Sequence, residues 1–553
     1  MPRNPLFDQF SRTIRIAWFA ERSKISTREA LERGADVRGA AARRRSRRGF
    51  LGDVARVAAS GALATVAGPL DRALAKPRDS NRSIAIVGAG MAGLACADRL
   101  RQAGIIGSVY EAAPDRVGGR VRSISDVFPG RTIELGGEFI DYWHAAVLSY
   151  VRRFDLTRID LFDTADEVLY RIDGVTYPES TIIDAFRDVV HRMKADMRSV
   201  TSGISARNYD PSPGSADRRL DNTNLQEYLE QIGASGVFIK AIQSVFGGEY
   251  GREIHLQSCL NFILFAKLTR SKSRIDYFGA NNAERYAIAE GSEALAYYLR
   301  DDLIDAGGIV QAGMRLTALK KATDGRYVLT FEGGATAIHD AVVVAIPATV
   351  LRTGVTLDAS LGIHPLTRAA IAGLQYGYNT KTMFQFASAE PFSVLGGDGT
   401  AYASDAMLPN VQVAFPSKTS SPGADPMMPV VVDYGFGERG RLLPTVDPGG
   451  LGFLHGYNEI FPGAAAAAIP LNGELFARAH WPSEPNALGS YTCNQPGYFT
   501  TMEGFLGEPT GNLAFAGEHT DSFHNFQGFI EGAAESGIRA AEYFLNRIRK
   551  GLM

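Results

Sequence analysis

Gly88, Gly90 and Gly93, in the run Gly88-Ala89-Gly90-Met91-Ala92-Gly93, have the spacing of a loop that wraps a phosphate. The first glycine serves a tight turn, the second lets the backbone approach a pyrophosphate, and the third lets a helix pack closely on a strand. Glu111 follows at about the 20-residue interval from which a carboxylate reaches a ribose hydroxyl. Free N–H groups at the start of the helix would complete an anion site. The chemistry this set supports is dinucleotide binding.

Those residues need elements to hold them. Ile84–Val87 reads as a short apolar strand, a helical pattern runs from Leu94 to about Ala103, and Ser108–Tyr110 reads as a second strand that delivers Glu111. Strand, loop, helix, strand and terminal acid form a Rossmann-like unit. Taken alone, the unit leaves NAD and FAD both open.

Three further stretches bear on that choice. "EAAPDRVGGRVRS" places Arg116, Gly118, Gly119 and Arg120 just after the acid, "ELGGEFID" spans Glu134–Asp141, and "GNLAFAGEHTDSFHNFQGFIEGAAESGIRAA" lies near the C-terminus. In this order they resemble the flavin amine oxidase family, over roughly residues 83–545. The resemblance implies an α/β fold: a Rossmann-like FAD-binding domain interleaved with a mixed α+β substrate-binding domain. It gives residues 83–140, 282–357 and 481–548 to the first, and 141–281 and 358–480 to the second.

The same resemblance implies the cofactor set. Gly88, Gly90, Met91, Ala92, Gly93, Glu111 and Ala112 come from the first unit, and Gly118, Gly119, Arg120, Gly136, Gly137, Glu138 and Phe139 from the next two motifs. Leu316, in "GMRLTAL", matches a residue packed beside the adenine, and "HDAVVVAIPATVL" matches the strand returning to the FAD domain. Gly517, Glu518, Gly528, Phe529 and Ile530 close the site, with a helix starting near Gly528 aimed at the pyrimidine edge of the flavin. Covalent members carry a cysteine where this chain has Ser490, and Cys493 is offset, so the expected FAD is noncovalent.

Residues matched to the chemistry are Lys381, Trp481, Tyr491 and Phe529. Lys381, on the alternating stretch "YGYNTKTMFQFA", matches a lysine that reaches a water beside flavin N5. In the family the residue matching Trp481 lines the flavin, and those matching Tyr491 and Phe529 would form the walls of a cage that admits the substrate. Phe139 stands where many L-amino acid oxidases carry a carboxylate-gripping arginine, whereas Asp141 falls where some polyamine oxidases hold a distal ammonium. The substrate reading is therefore a basic L-amino acid or a primary amine or polyamine, met by Asp141, Tyr491 and Phe529. Electrons would pass to oxygen or another acceptor. A C–C desaturase or porphyrinogen oxidase, or a non-catalytic FAD electron carrier, are the rival readings.

Composition bounds the rest. The 553-residue chain has a formal net charge of −2, but residues 1–75 carry 15 basic and 7 acidic side chains, which leaves 43 and 53 in the remainder. An acidic body argues against a nucleic-acid partner. Three scattered cysteines, Cys96, Cys259 and Cys493, suggest neither a disulfide framework nor a metal site. "SRRGFL" at Ser46, a weakly apolar run to Leu70, and Ala73–Ala75 resemble a twin-arginine export signal. Residues 1–75 therefore read as a basic tail and signal, with the export machinery as partner and a periplasmic or secreted destination. A homodimer is compatible with everything above. Elsewhere, "LQEYLEQIGASGVFIKAIQSVFGGEYG" reads as helices with a glycine stop, and residues 208–223 as an exposed loop.

Overall fold

The computed structural model describes residues 5–35, 82–125, 127–161, 168–268, 286–396, 398–404, 411–417, 428–470 and 476–553. The stretch from Ser46 to Ala75 read as an export signal lies outside the described residues.

A five-stranded parallel sheet anchors the fold. Its strands are β1 (Ile84–Val87), β2 (Ser108–Tyr110), β3 (Val310–Gln311), β4 (Ala341–Val344) and β8 (Leu513–Phe515), in the order β8-β4-β1-β2-β3. β1 and β4 are buried at every residue, as continuous apolar runs require when both faces are covered. Strands far apart in the chain thus lie side by side: Ile84 pairs with Ala341 and Val344 with Phe515.

Helix α2 (Met91–Gln102) follows the glycine loop and packs on the long C-terminal helix α5 (Ile530–Arg549). Their approach is close because both are small at the crossing. A Cβ at Gly537 would lie 2.0 Å from Ala92 O.

A second, eight-stranded mixed sheet is built on β5 (Thr380–Phe386), flanked by β6 (Val430–Gly435) and β7 (Phe476–His480). All seven residues of β5 are buried, so its alternating pattern does not mark a half-exposed strand. A helical layer that includes α3 (Glu179–Ser199) and α4 (Gly236–Tyr250) lies against α1 (Pro5–Ser23). Gly251, in the left-handed conformation at φ 70°, ends α4, as the glycine stop implied. The α/β class with a second sheet domain is the one expected.

One local reading fails. Residues 208–223 are not simply an exposed loop, because Ser215 caps a helix, Ala216–Asp221, by accepting from Arg218 N. Asp221 is fully buried, and its carboxylate accepts from Thr500 N and Phe499 N at 2.7 and 3.2 Å. The turn-rich composition hid a cap and a buried anchor.

Candidate active site

The glycine loop does what its spacing implies. Gly88 sits at φ +103°, and a Cβ there would lie 2.7 Å from Ala345 O. A Cβ at Gly93 would fall 1.8 Å from Gly88 O, so this glycine sets helix–strand packing and does not face the cavity. Gly90, at the start of α2, has nothing nearer than 3.9 Å to such an atom, which leaves backbone open to a ligand. This is the cradle a pyrophosphate needs.

Glu111 lines the same cavity. Its two carboxylate oxygens accept from Ala89 N at 2.6 Å and Ala113 N at 2.8 Å, which fixes the acid at the end of β2. Each oxygen keeps a lone pair for a ribose hydroxyl.

The cavity holds about 1620 Å³ of atom-free space, part of it open to solvent. Of the residues expected to hold cofactor or substrate, all but Gly93 and Asp141 line it. Met91, Ala92, Ala112, Gly118, Gly119 and Leu316 belong to the dinucleotide end of the reading; Gly517, Gly528, Phe529 and Ile530 come from the C-terminal motif.

Arg120 ties these segments together. It donates to Glu518 Oε1 at 2.8 Å and to Ser490 O at 2.9 Å, while Thr492 Oγ1 donates to the other Glu518 oxygen at 3.0 Å. Gly136 must be glycine here, since a Cβ would lie 2.0 Å from Arg120 O. Trp481 is fixed by donating its indole N–H to Leu135 O at 2.9 Å. No cysteine lines the cavity among the described residues, and Cys493 is fully buried outside it. The residues present fit a noncovalent FAD.

Lys381 arrives from β5 and is only 6% exposed. Its ammonium donates to Glu134 O at 3.0 Å, Gly136 O at 3.1 Å and Glu138 Oε2 at 2.9 Å. An ammonium has three N–H donors, so one partner must let go before Lys381 donates to a water. Glu134, beneath this pair, has its carboxyl pushed up to about 8, first by burial and then by the neighbouring Glu138 charge.

Asp141, expected to meet the substrate, does not line this cavity. It is fully buried and off the cavity wall, with His144 Nε2 3.5 Å from its carboxylate. Of the two acids in this stretch, it is Glu138 that lines the cavity. Burial holds His144 down at about 3, which keeps it neutral beside Phe526 and Phe529.

Sequence reasoning passed over Tyr434, Asn379 and Phe415, which also line the cavity. Tyr434 pairs with Lys381 across β5 and β6, and its hydroxyl lies 2.9 Å from that of Tyr491. Tyr491 in turn donates to Gly248 O at 3.0 Å. Asn379 accepts from Ser490 Oγ at 2.6 Å and donates to Gly248 O at 2.8 Å. It is the sheet register, pairing β6 with β5, that brings Tyr434 here.

A family model described as flavin containing amine oxidoreductase matches residues 91–545, and the chain belongs to that family. It is 24% identical over 506 residues to a probable polyamine oxidase of Arabidopsis thaliana, covering 86% of this chain and 89% of the relative. It is 23% identical over 496 residues to an L-amino-acid oxidase of Vipera ammodytes ammodytes, covering 84% and 93%. Among solved structures, cyclohexylamine oxidase from Brevibacterium oxydans superposes with a TM-score of 0.70 at 18% identity, covering 85% of this chain and all of the other. Putrescine oxidase bound to putrescine gives 0.68 at 18%, covering 84% and 99%. The protein is an oxidoreductase acting on amines with FAD as its cofactor.

Proposed function

We propose that this flavoprotein oxidises a primary amine or polyamine that bears no carboxylate at the reacting carbon, and passes the electrons to oxygen to give hydrogen peroxide. One observation carries the reading. A single cavity is lined by the dinucleotide loop and also by Lys381, Trp481, Tyr491 and Phe529.

The preference for an amine over an amino acid follows from the cations of that wall. Arg120 is engaged by Glu518, Arg315 by Asn486, Arg116 by Gly119 O, and Lys381 by Glu138. Arg120 and Lys381 thus each already hold a carboxylate of the wall, and Arg116 and Arg315 come from the segments read as the dinucleotide end.

FAD supplies the two-electron acceptor for a hydride leaving the substrate α-carbon. The chain's own part is orientation and water exclusion. Tyr434, Tyr491 and Phe529 form apolar walls that solvate an ammonium poorly, so the amine enters the reacting region neutral. Loss of the hydride and of one N–H proton leaves an imine. Water then hydrolyses the imine to a carbonyl compound, with release of ammonia or a shorter amine. α5 starts at Ile530, which with Phe529 lines the cavity, so the positive end of the helix dipole favours negative charge there.

The test is anaerobic flavin absorbance during titration with cyclohexylamine, putrescine, spermidine, L-lysine and L-arginine. Bleaching by the amines and not by the amino acids is expected. Bleaching by L-arginine or L-lysine alone would replace this reading with a basic L-amino acid oxidase. A flavin that stays oxidised with every amine would point to the desaturase or electron-carrier alternatives.

A further inference from the structure

If residues 1–75 were a basic tail and cleavable leader, everything before Ala75 would be expendable. The packing of α1 argues otherwise. Phe10, Ile14 and Trp18 recur at helical spacing and are at most 5% exposed. The Phe10 ring meets Phe246 of α4 edge-on at 6.2 Å, and Trp18 meets Phe186 of α3 at 6.2 Å.

The polar contacts are as specific. Glu179, at the start of α3, has a side chain only 3% exposed. Its carboxylate accepts from Thr13 Oγ1 at 2.6 Å and pairs with Arg12. Farther along, Arg187 of α3 donates to Glu21 at 2.8 Å and to Thr27 Oγ1 at 2.8 Å. A carboxylate buried to this degree is tolerated because its partners are in place, and removing them strands a charge in the interior. Removing α1 would also bare the aromatic faces of α3 and α4 together, an apolar patch of the kind folded surfaces avoid.

We infer that residues 5–35 are a permanent part of the catalytic body, the partner that this face of the helical layer is built to take. The export-like segment then stands inside the working polypeptide, and a cut after Ala75 yields a two-piece enzyme that keeps its N-terminal piece.

The experiment uses the full-length, FAD-loaded chain with a site-specific protease sequence inserted after Ala75. After cutting, the fragment should co-elute with the body in equal amounts on size exclusion, with an unchanged melting midpoint. A fragment that separates while the body keeps its flavin and its midpoint overturns the inference. Two point variants in the uncut chain give an independent reading. Ile14→Asp should lower the midpoint, whereas Arg22→Asp, on the exposed face of α1, should not. Equal midpoints for Ile14→Asp and the unaltered chain would also overturn it.

Discussion

Lys381 spans two chemistries at once, because its ammonium closes an ion pair with Glu138 and also holds the Glu134 and Gly136 carbonyls together. Replacing it strands the Glu138 carboxylate. Lys381→Met should therefore cost about 3–5 kcal/mol in urea unfolding of the flavin-loaded protein. The double variant with Glu138→Gln should recover part of that loss, and a strictly additive double would show that the pair is not coupled. Glu134 makes a pH prediction. Its carboxyl titrates near 8 in the folded protein against 4.5 unfolded, so the folded state holds the extra proton between those values. The stability it contributes is complete below pH 4.5 and is lost as pH rises through 8, on the order of a few kcal/mol. Thermal unfolding against pH should accordingly be flatter for Glu134→Gln than for the unaltered chain across that window. A parallel fall in both would contradict it.

Glycine positions carry the predictions that belong to elements. Gly93 is where α2 meets β1, and Gly90 is where α2 meets the ligand, so the same substitution should fail in different ways. Gly93→Ala places a methyl 1.8 Å from Gly88 O and should destabilise even the flavin-free protein, by about 1–3 kcal/mol or more. Gly90→Ala meets nothing within 3.9 Å and should leave the flavin-free melting midpoint nearly unchanged while weakening FAD binding. Calorimetry of the flavin-free forms, paired with fluorescence titration by FAD, separates the two. Legibility followed the same division. The strand–loop–helix start was plain because its signals are local, whereas the helix Ala216–Asp221 was lost inside a turn-rich stretch. Its buried Asp221 is explained only by Thr500 N and Phe499 N, far along the chain.

At the scale of the molecule, the cavity gathers residues from the first strand, the second sheet and the last helix, so cofactor and core should melt together. Raising FAD from zero to about 100 times its Kd should stabilise the protein by roughly 2.7 kcal/mol in one transition. A transition that splits, with only one part responding to FAD, would mean that the two domains are uncoupled. Some of this architecture was already determined by the chain order of residues. Gly88 to Glu111 specify a phosphate cradle from nearby positions, since a turn, a helix start and a strand end are local events governed by backbone sterics. The tertiary structure alone decided the rest. Glu138 and not Asp141 faces the cavity, Tyr434 stands across from Lys381, and residues 5–35 close the helical layer. Each of these depends on strand register or on packing between segments distant in sequence. A one-residue shift in register reverses which side chains face the site, and no local pattern records it.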